Sequence, residues 1–445
     1  MRAPIGPAVG LPGLALDTAW QAITLAALVA VPVALAVDLA RGRGTRGLRE
    51  RLGSSPASTV RPAWVHAASV GEMAAAAPLV RALGDRVPIL VSATTERGRA
   101  AAMRLSAHLV AAPFLAPIDA WPCVARAMRR SAPRALLLVE TELWPNLVRA
   151  ASRSGARVIV VNGRLSARSM PRHARVRPLM ARTLAQVELV LARSEEDAAR
   201  FIELGAAPER VVVAGDFKFD AAAALPRQAD LPWARAAGLA EGTWVVFGSI
   251  APGEEQASLA AFEAARAAYP ELRAVVAPKR PERWDPVARA IAASGRPMTR
   301  RSSFSDTGPG APVPSGGILV LDSAGELARV YRHARVAFVG GSLVPRGGQN
   351  VLEPAAEGCP VLHGPDVSNF RDAVQALRSE GGARQVDAGT LNEALMDLLR
   401  DDAKHRDMST RARAAVARHE GAVARALDRL APLLGLEDVP AARPA

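Results

Sequence analysis

Beyond residue 60 the chain alternates short Val/Ile/Leu runs with longer Ala/Leu/Arg-rich stretches of helical character. The runs at 63–67 (AWVHA), 87–92 (VPILVS), 135–139 (ALLLV), 157–161 (RVIVV) and 210–214 (RVVVA) predict strands in the first half. Those at 243–247 (TWVVF), 272–276 (LRAVV), 317–321 (GILVL), 335–339 (RVAFV) and 360–363 (PVLH) predict strands in the second. Strands apolar at consecutive rather than alternate positions are buried on both faces, and helical crossovers between them make the sheets parallel. Residues 221–242, rich in Ala and Pro and without strand pattern, predict a linker between two strand groups. The segment 302–317 (SSFSDTGPGAPVPSGG) predicts a surface loop. The pattern is that of an α/β protein with two Rossmann-like domains facing a cleft.

The N-terminus departs from this pattern. Thr18 to Val37 is a run of 20 residues without charge, and as a helix it would span roughly 30 Å, the thickness of a bilayer core. Arg41, Arg43, Arg46, Arg49 and Arg51 follow it and only Arg2 precedes it, which places the globular part on the cytoplasmic side of a membrane anchor. A cleaved signal peptide would carry its positive cluster on the other side. A helix buried or lying at an interface is the other reading, since Thr18, Gln21, Thr24 and Pro32 dilute the run. The expected organisation is an anchor at 1–40, a first domain at 41–225, a second at 226–425 and a tail at 426–445.

Composition narrows the function classes. Of 445 residues half are apolar, enough for a sizeable core. Cys123 and Cys359 cannot form a disulfide scaffold, and no His-x-x-x-His pair occurs, so a protein-caged transition metal is not expected. Residues 1–225 carry a net charge of +12 and residues 226–445 only +1, so the two halves should meet different partners: nucleic acid, an anionic membrane surface or an acidic substrate for the first. Of 56 basic residues only Lys218, Lys279 and Lys404 are lysine.

Five stretches carry candidate chemistry. His66-Ala67-Ala68-Ser69-Val70-Gly71-Glu72 joins a strand to a helix. Glu72 there can accept a proton from a substrate hydroxyl, or serve with Ser69 as a capping box. Glu140-Thr141-Glu142-Leu143-Trp144-Pro145 places two acids at a strand end, which suits either a site or a helix start. Gly215-Asp216-Phe217-Lys218-Phe219-Asp220 contains one of the scarce lysines, where a compact ammonium differs from a guanidinium fork. Lys279-Arg280 in APKRPER suits a phosphate or a solvated loop. The stretch from Phe338 through Gly340-Gly341-Ser342 to Asn350-Val351-Leu352-Glu353 runs from strand to glycine-rich loop to helix, an arrangement that lets backbone amides approach an anion. It matches neither GxGxxG nor a Walker loop, and no Asp-x-Asp occurs that would hold a metal on a diphosphate.

Together these stretches resemble the 3-deoxy-D-manno-octulosonic acid (Kdo) transferases of lipopolysaccharide assembly. HAASVGE at 66–72, ETELWPNL at 140–147, NGRLSARS at 162–169, EEDAARFIELGA at 195–206, KFD at 218–220, PER at 281–283 and FVGGSLVPRGGQNVLEPAAEG at 338–358 carry the likeness, in order, over roughly residues 40–420. The resemblance implies the type B glycosyltransferase fold with an N-terminal membrane helix, and inverting transfer of Kdo from CMP-Kdo to the lipid A precursor at the cytoplasmic face of the inner membrane. It implies no metal or other cofactor. By the same resemblance Glu72 is the proton acceptor and Glu140 and Lys218 stabilise the transition state. Pro278, Lys279, Ala324, Gly325, Glu326, Asn350, Val351, Leu352 and Glu353 would bind CMP.

The sequence departs from the family at Gln349, where histidine is common, at Gly248–Glu255, at Asp216 and at Lys279-Arg280. Two rivals have different signatures. A soluble nucleotide-sugar 2-epimerase, or another enzyme of the same fold, would lack the anchor and the HAASVGE–ETELWP pair. A nucleic-acid-binding protein would interleave basic residues with aromatics, which are scarce here at 4%, so nucleic acid is not an expected partner.

Overall fold

The computed structural model describes residues 11–29, 46–225, 229–304 and 311–436. The chain forms two compact units, residues 1–221 with 421–445, and residues 222–420. Each holds a seven-stranded sheet in which every pairing is parallel.

The first sheet has the order β3-β2-β1-β4-β5-β6-β7. Its strands are β1 (Ala63–Ala67), β2 (Ile89–Ala93), β3 (Phe114–Leu115), β4 (Ala135–Val139), β5 (Arg157–Gly163), β6 (Leu189–Ala192) and β7 (Val211–Val213). Side chains alternate between two cores, as a pleated strand requires. Ala63, Val65 and Ala67 of β1 and Ala135, Leu137 and Val139 of β4 face helices Val70–Gly84 and Ala422–Leu434. Trp64, Leu136 and Leu138 face helices Trp121–Ser131, Pro145–Arg153 and Arg177–Leu184. The order reverses beside β1, so β1 and β4 flank the switch point where open α/β sheets place ligands.

The second sheet has the order β10-β11-β9-β8-β12-β13-β14. Its strands are β8 (Trp244–Ile250), β9 (Arg273–Pro278), β10 (Met298–Arg300), β11 (Ile318–Val320), β12 (Ala334–Val339), β13 (Val361–His363) and β14 (Ala383–Gln385).

Three sequence expectations change. The linker does not extend to residue 242, because Leu231, Trp233, Ala234, Ala237 and Leu239 are buried in the second domain and Arg301 stacks 4.7 Å from the Trp233 ring centroid. In the loop at 302–317, Phe304 and Val313 join the same core, while residues 305–310 lie outside the described residues. At the C-terminus the chain returns to the first domain at Gly421, and helix Ala422–Leu434 is part of that domain's core. Asp220 caps this helix by accepting the Gly421, Ala422 and Val423 amides at 3.1, 3.1 and 3.3 Å.

The N-terminal helix is Leu11–Val29. Its polar side faces the first domain. Asp17 pairs with Arg149 and Arg182, each at 2.8 Å, Trp20 Nε1 donates to Asp119 at 2.8 Å, and Gln21 bonds Asn146. Its small and apolar side, with Ala15, Ala19, Ala22, Ile23, Leu25, Ala26 and Val29, is exposed. The expected spanning segment began after Asp17. In the structure the helix starts earlier and commits Asp17 to an ion-paired contact. No helix among the described residues is long and apolar enough to cross a membrane, and residues 30–37 of the uncharged run lie outside them.

Candidate active site

In the first domain the predicted catalytic residues converge on the carboxyl ends of β1 and β4. Ser69 caps helix Val70–Gly84 by accepting the Glu72 amide at 3.4 Å. The Glu72 carboxylate accepts the Ala68 amide at 2.6 Å and the Ser69 hydroxyl at 3.1 Å. The capping interaction is therefore made, on the same carboxylate that is the candidate base. Burial raises the Glu72 carboxyl above its ordinary range, and the charges of Glu140 and then Glu142 raise it further. The two hydrogen bonds oppose this less strongly. A carboxyl so placed holds a proton more readily than a free glutamate, which is the direction a general base needs.

Glu140 follows β4 with a left-handed backbone, φ 58°, although its amide still donates to Val161 at 3.0 Å. Across from it on β5, Asn162 is also left-handed, φ 51°. Such conformations cost of order 1–3 kcal/mol for residues with a side chain, and here two occur side by side at one sheet end. Lys218 Nζ lies 3.4 Å from Glu140 Oε1, and an Arg164 guanidinium nitrogen lies 3.8 Å from Oε2. Buried Asn162 accepts the Phe217 amide at 2.9 Å, which fixes the turn that presents Lys218. A cavity of about 310 Å³ opens beside these groups, lined by Glu140, Thr141, Glu142, Arg164, Ser166, Ser169, Arg172 and His173.

In the second domain, Pro278 ends β9 and the Lys279 amide bonds Ile250 at 3.0 Å. Asn350 donates to Glu353 at 3.0 Å and accepts the Leu352 amide at 3.1 Å, so Asn350 to Glu353 form one turn leading into helix Leu352–Ala356. Lys279 and Glu353 face each other electrostatically. Burial lowers the Lys279 ammonium and raises the Glu353 carboxyl, each tempered by the other's charge. These predicted residues therefore come together. Glu326 is engaged elsewhere: it takes Arg301 Nε and Nη2, each at 2.9 Å, and Trp233 Nε1 at 2.9 Å. Ala324 and Gly325 lie on the same turn, before helix Leu327–Val330.

The glycine-rich loop was expected to offer its amides to an anionic ligand. Several already hold an anion, but it belongs to the protein. Glu254, buried at 0% exposure, accepts the Ala251 and Gly341 amides on one carboxylate oxygen (2.8 and 2.6 Å) and the Ser342 and Leu343 amides on the other (2.9 and 2.8 Å). Gly340 is required for this fit, since a Cβ there would stand 2.6 Å from the Ile250 Cα and 2.8 Å from the Glu254 carboxylate. Sequence reasoning missed Glu254, Asn162 and His66 as individual residues. The signals were present: paired acids in Gly253-Glu254-Glu255, an asparagine before a glycine at a strand end, and one imidazole inside the apolar run AWVHA.

A family model described as 3-deoxy-D-manno-octulosonic-acid transferase (kdotransferase) matches residues 46–221. The 3-deoxy-D-manno-octulosonic acid transferase of Bordetella pertussis is 38% identical over 394 residues, covering 86% of this chain and 89% of the relative. That of Haemophilus influenzae is 30% identical, covering 83% and 87%. Among solved structures, a putative UDP-N-acetylglucosamine 2-epimerase from Listeria monocytogenes superposes with a TM-score of 0.59 at 15% identity, covering 86% of this chain and all of that one. The UDP-GlcNAc 2-epimerase of Neisseria meningitidis gives 0.58 at 14%, covering 83% and 99%. These two share the type B architecture of paired parallel-sheet domains and show the fold alone. Identity of this extent across most of both chains shows that the chain belongs to the 3-deoxy-D-manno-octulosonic acid (Kdo) transferases, a glycosyltransferase family.

Proposed function

We propose that the protein transfers Kdo from CMP-Kdo to the lipid A precursor by a single inverting displacement, with Glu72 as general base. The observation that carries this reading is the placement of Glu72: its carboxylate is held at the end of β1 by the Ala68 amide and the Ser69 hydroxyl, with Glu140 and Glu142 lining a cavity at the end of β4, and burial and these two charges raise its proton affinity. Glu72 takes the proton of an acceptor hydroxyl, and that oxygen bonds to the anomeric carbon of Kdo. The bond from that carbon to the CMP phosphate breaks, and CMP leaves with the electron pair.

Lys218, oriented by Glu140, offsets the negative charge of the sugar carboxylate or the departing phosphate. Lys279, Asn350 and Glu353 form the polar face that receives CMP. Glu254 shapes the loop beside them rather than leaving its amides to the phosphate. No step of this reading calls on a metal. The outward apolar side of helix Leu11–Val29 suits attachment to a lipid surface in the plane of the interface, with the catalytic part on the cytoplasmic side of the inner membrane.

The deciding experiment incubates the purified protein with CMP-Kdo and a lipid A precursor and reads product mass. The wild type is expected to add Kdo, and Glu72→Gln to fold, bind CMP and lose about 10²–10⁴-fold in turnover. Unchanged turnover in Glu72→Gln would return Glu72 to its capping role, and no mass shift with the wild type would sink the assignment.

A further inference from the structure

The mechanism leaves one buried polar row unused. Trp64, His66 and Ser92 have 0% exposure, and His66 stands in register with Ser92 across β1 and β2. Apolar residues fill the neighbouring positions of these strands, so three polar groups in one line need a reason. Their polar contacts form a chain.

The indole N–H can only donate. Trp64 Nε1 gives its proton to Ser92 Oγ at 2.7 Å. Ser92 Oγ meets His66 Nδ1 at 2.9 Å. Ser92 Oγ keeps one proton and a second lone pair, so it can serve Nδ1 as donor or as acceptor. His66 Nε2 lies 3.5 Å from Glu142 Oε2 and 3.5 Å from Thr94 Oγ1; an ionised carboxylate only accepts, so the contact with Glu142 assigns a proton to Nε2. Trp144 Nε1 donates to the same oxygen at 2.7 Å. The row thus ends on a carboxylate that lines the active-site cavity, and both of these N–H groups converge on one of its two oxygens.

We propose that Glu142 is a positioning residue for the transfer: the row Trp64–Ser92–His66 and the Trp144 indole fix it as a standing negative charge beside Glu72, and that charge keeps Glu72 able to take the acceptor's proton. The inference rests on Glu72 as the base. Burial alone would raise the Glu142 carboxyl, but the hydrogen bond and charge of His66, then the Trp144 bond, bring it below its ordinary range. Glu142 therefore stays ionised where Glu72 gains proton affinity. The charges that act on Glu72 are those of Glu140 and Glu142 at the end of β4. Lys218 and Arg164 pair with Glu140. Removing Glu142's charge leaves the capping contacts of Glu72 unchanged, because those come from Ala68 and Ser69.

The test is the pH dependence of kcat/KM in the full chain, with CMP-Kdo and the lipid acceptor, for Glu142→Gln. Activity needs Glu72 deprotonated, so the acid limb follows its pKa. Glu142→Gln is expected to move that limb down by about one pH unit and to lower the rate at neutral pH by about three- to tenfold, because the base is weaker. Trp144→Phe, which removes one of the two donors, is expected to move it in the same direction by less. A uniform loss at every pH with the limb unmoved would overturn the proposal and leave Glu142 a structural residue. Glu72→Gln is measured alongside. If it retains turnover, the base assignment falls; if it is inactive while Glu142→Gln keeps the wild-type limb, only the present proposal falls. Thermal melting of each variant separates loss of fold from loss of function.

Discussion

Lys218 shows what a single residue adds to the site. Its ammonium sits against one oxygen of Glu140 while Arg164 approaches the other. A guanidinium in its place would be longer and planar, and would meet the Arg164 charge across the same carboxylate. Lys218→Arg is therefore expected to lose at least tenfold in kcat with CMP binding intact, measured by steady-state kinetics and nucleotide titration; full activity would show that charge alone suffices. Glu72, Glu140 and Lys218 were legible as candidates because strand ends and scarce lysines stand out in sequence. Glu254 and Asn162 were not, because their work lies in hydrogen bonds to backbone amides far along the chain, and no local pattern reports such a partner. The glycine-rich loop was expected to receive a ligand's anion; its Gly341, Ser342 and Leu343 amides instead hold Glu254, a partner set by the tertiary fold.

At the scale of elements, the long apolar runs became strands close to their expected bounds, since burial on both faces leaves an unbroken hydrophobic signature. The strands that escaped notice are β3, β6, β10 and β14, each two to four residues long, and β3, β10 and β14 lie at sheet edges. There, pairing is set by neighbours rather than by composition. The N-terminal helix was legible as a helix, but its docking was not, because that depends on Asp119. This buried carboxylate accepts the Asn146 and Leu147 amides (3.1 and 2.7 Å) and the Trp20 indole. It thereby caps helix Pro145–Arg153 and tethers helix Leu11–Val29 together. Burial outweighs these bonds and raises its pKa from 3.8 to about 6. A carboxyl with a raised folded-state pKa binds protons on folding, so its contribution to stability is greatest below the unfolded value and declines as pH rises through about 6. Denaturant midpoints are expected to show this decline between pH 4 and 6.5 in the wild type and a flatter profile in Asp119→Asn. Identical slopes would mean Asp119 does not titrate in that window.

For the molecule as a whole, the sequence's charge asymmetry now follows the division into units. The basic half is the domain that carries the N-terminal helix with its apolar side outward, and the near-neutral half is the domain with Lys279 and Glu353. Vesicles containing anionic lipid are expected to bind the full chain, with affinity falling as salt rises from 50 to 500 mM, because exposed charges lose their reach as the Debye length shrinks. Ile23→Asp together with Val29→Asp should weaken binding at every salt concentration, by removing the apolar contribution. Co-flotation measures both. Binding indifferent to salt and to these substitutions would point to another attachment.

The cap that Asp220 places on helix Ala422–Leu434 also has a consequence for biosynthesis. Asp220 lies two residues beyond Lys218, while its partners are encoded 201 to 203 residues later. During translation the first domain emerges early yet stays incomplete, because Ala422, Val423, Ala426, Leu430 and Leu434 must still arrive to cover its sheet. The second domain can finish while the first waits with that apolar surface open. A nascent chain stalled before Gly421 would thus still show that open surface, a stage at which a chaperone can hold it.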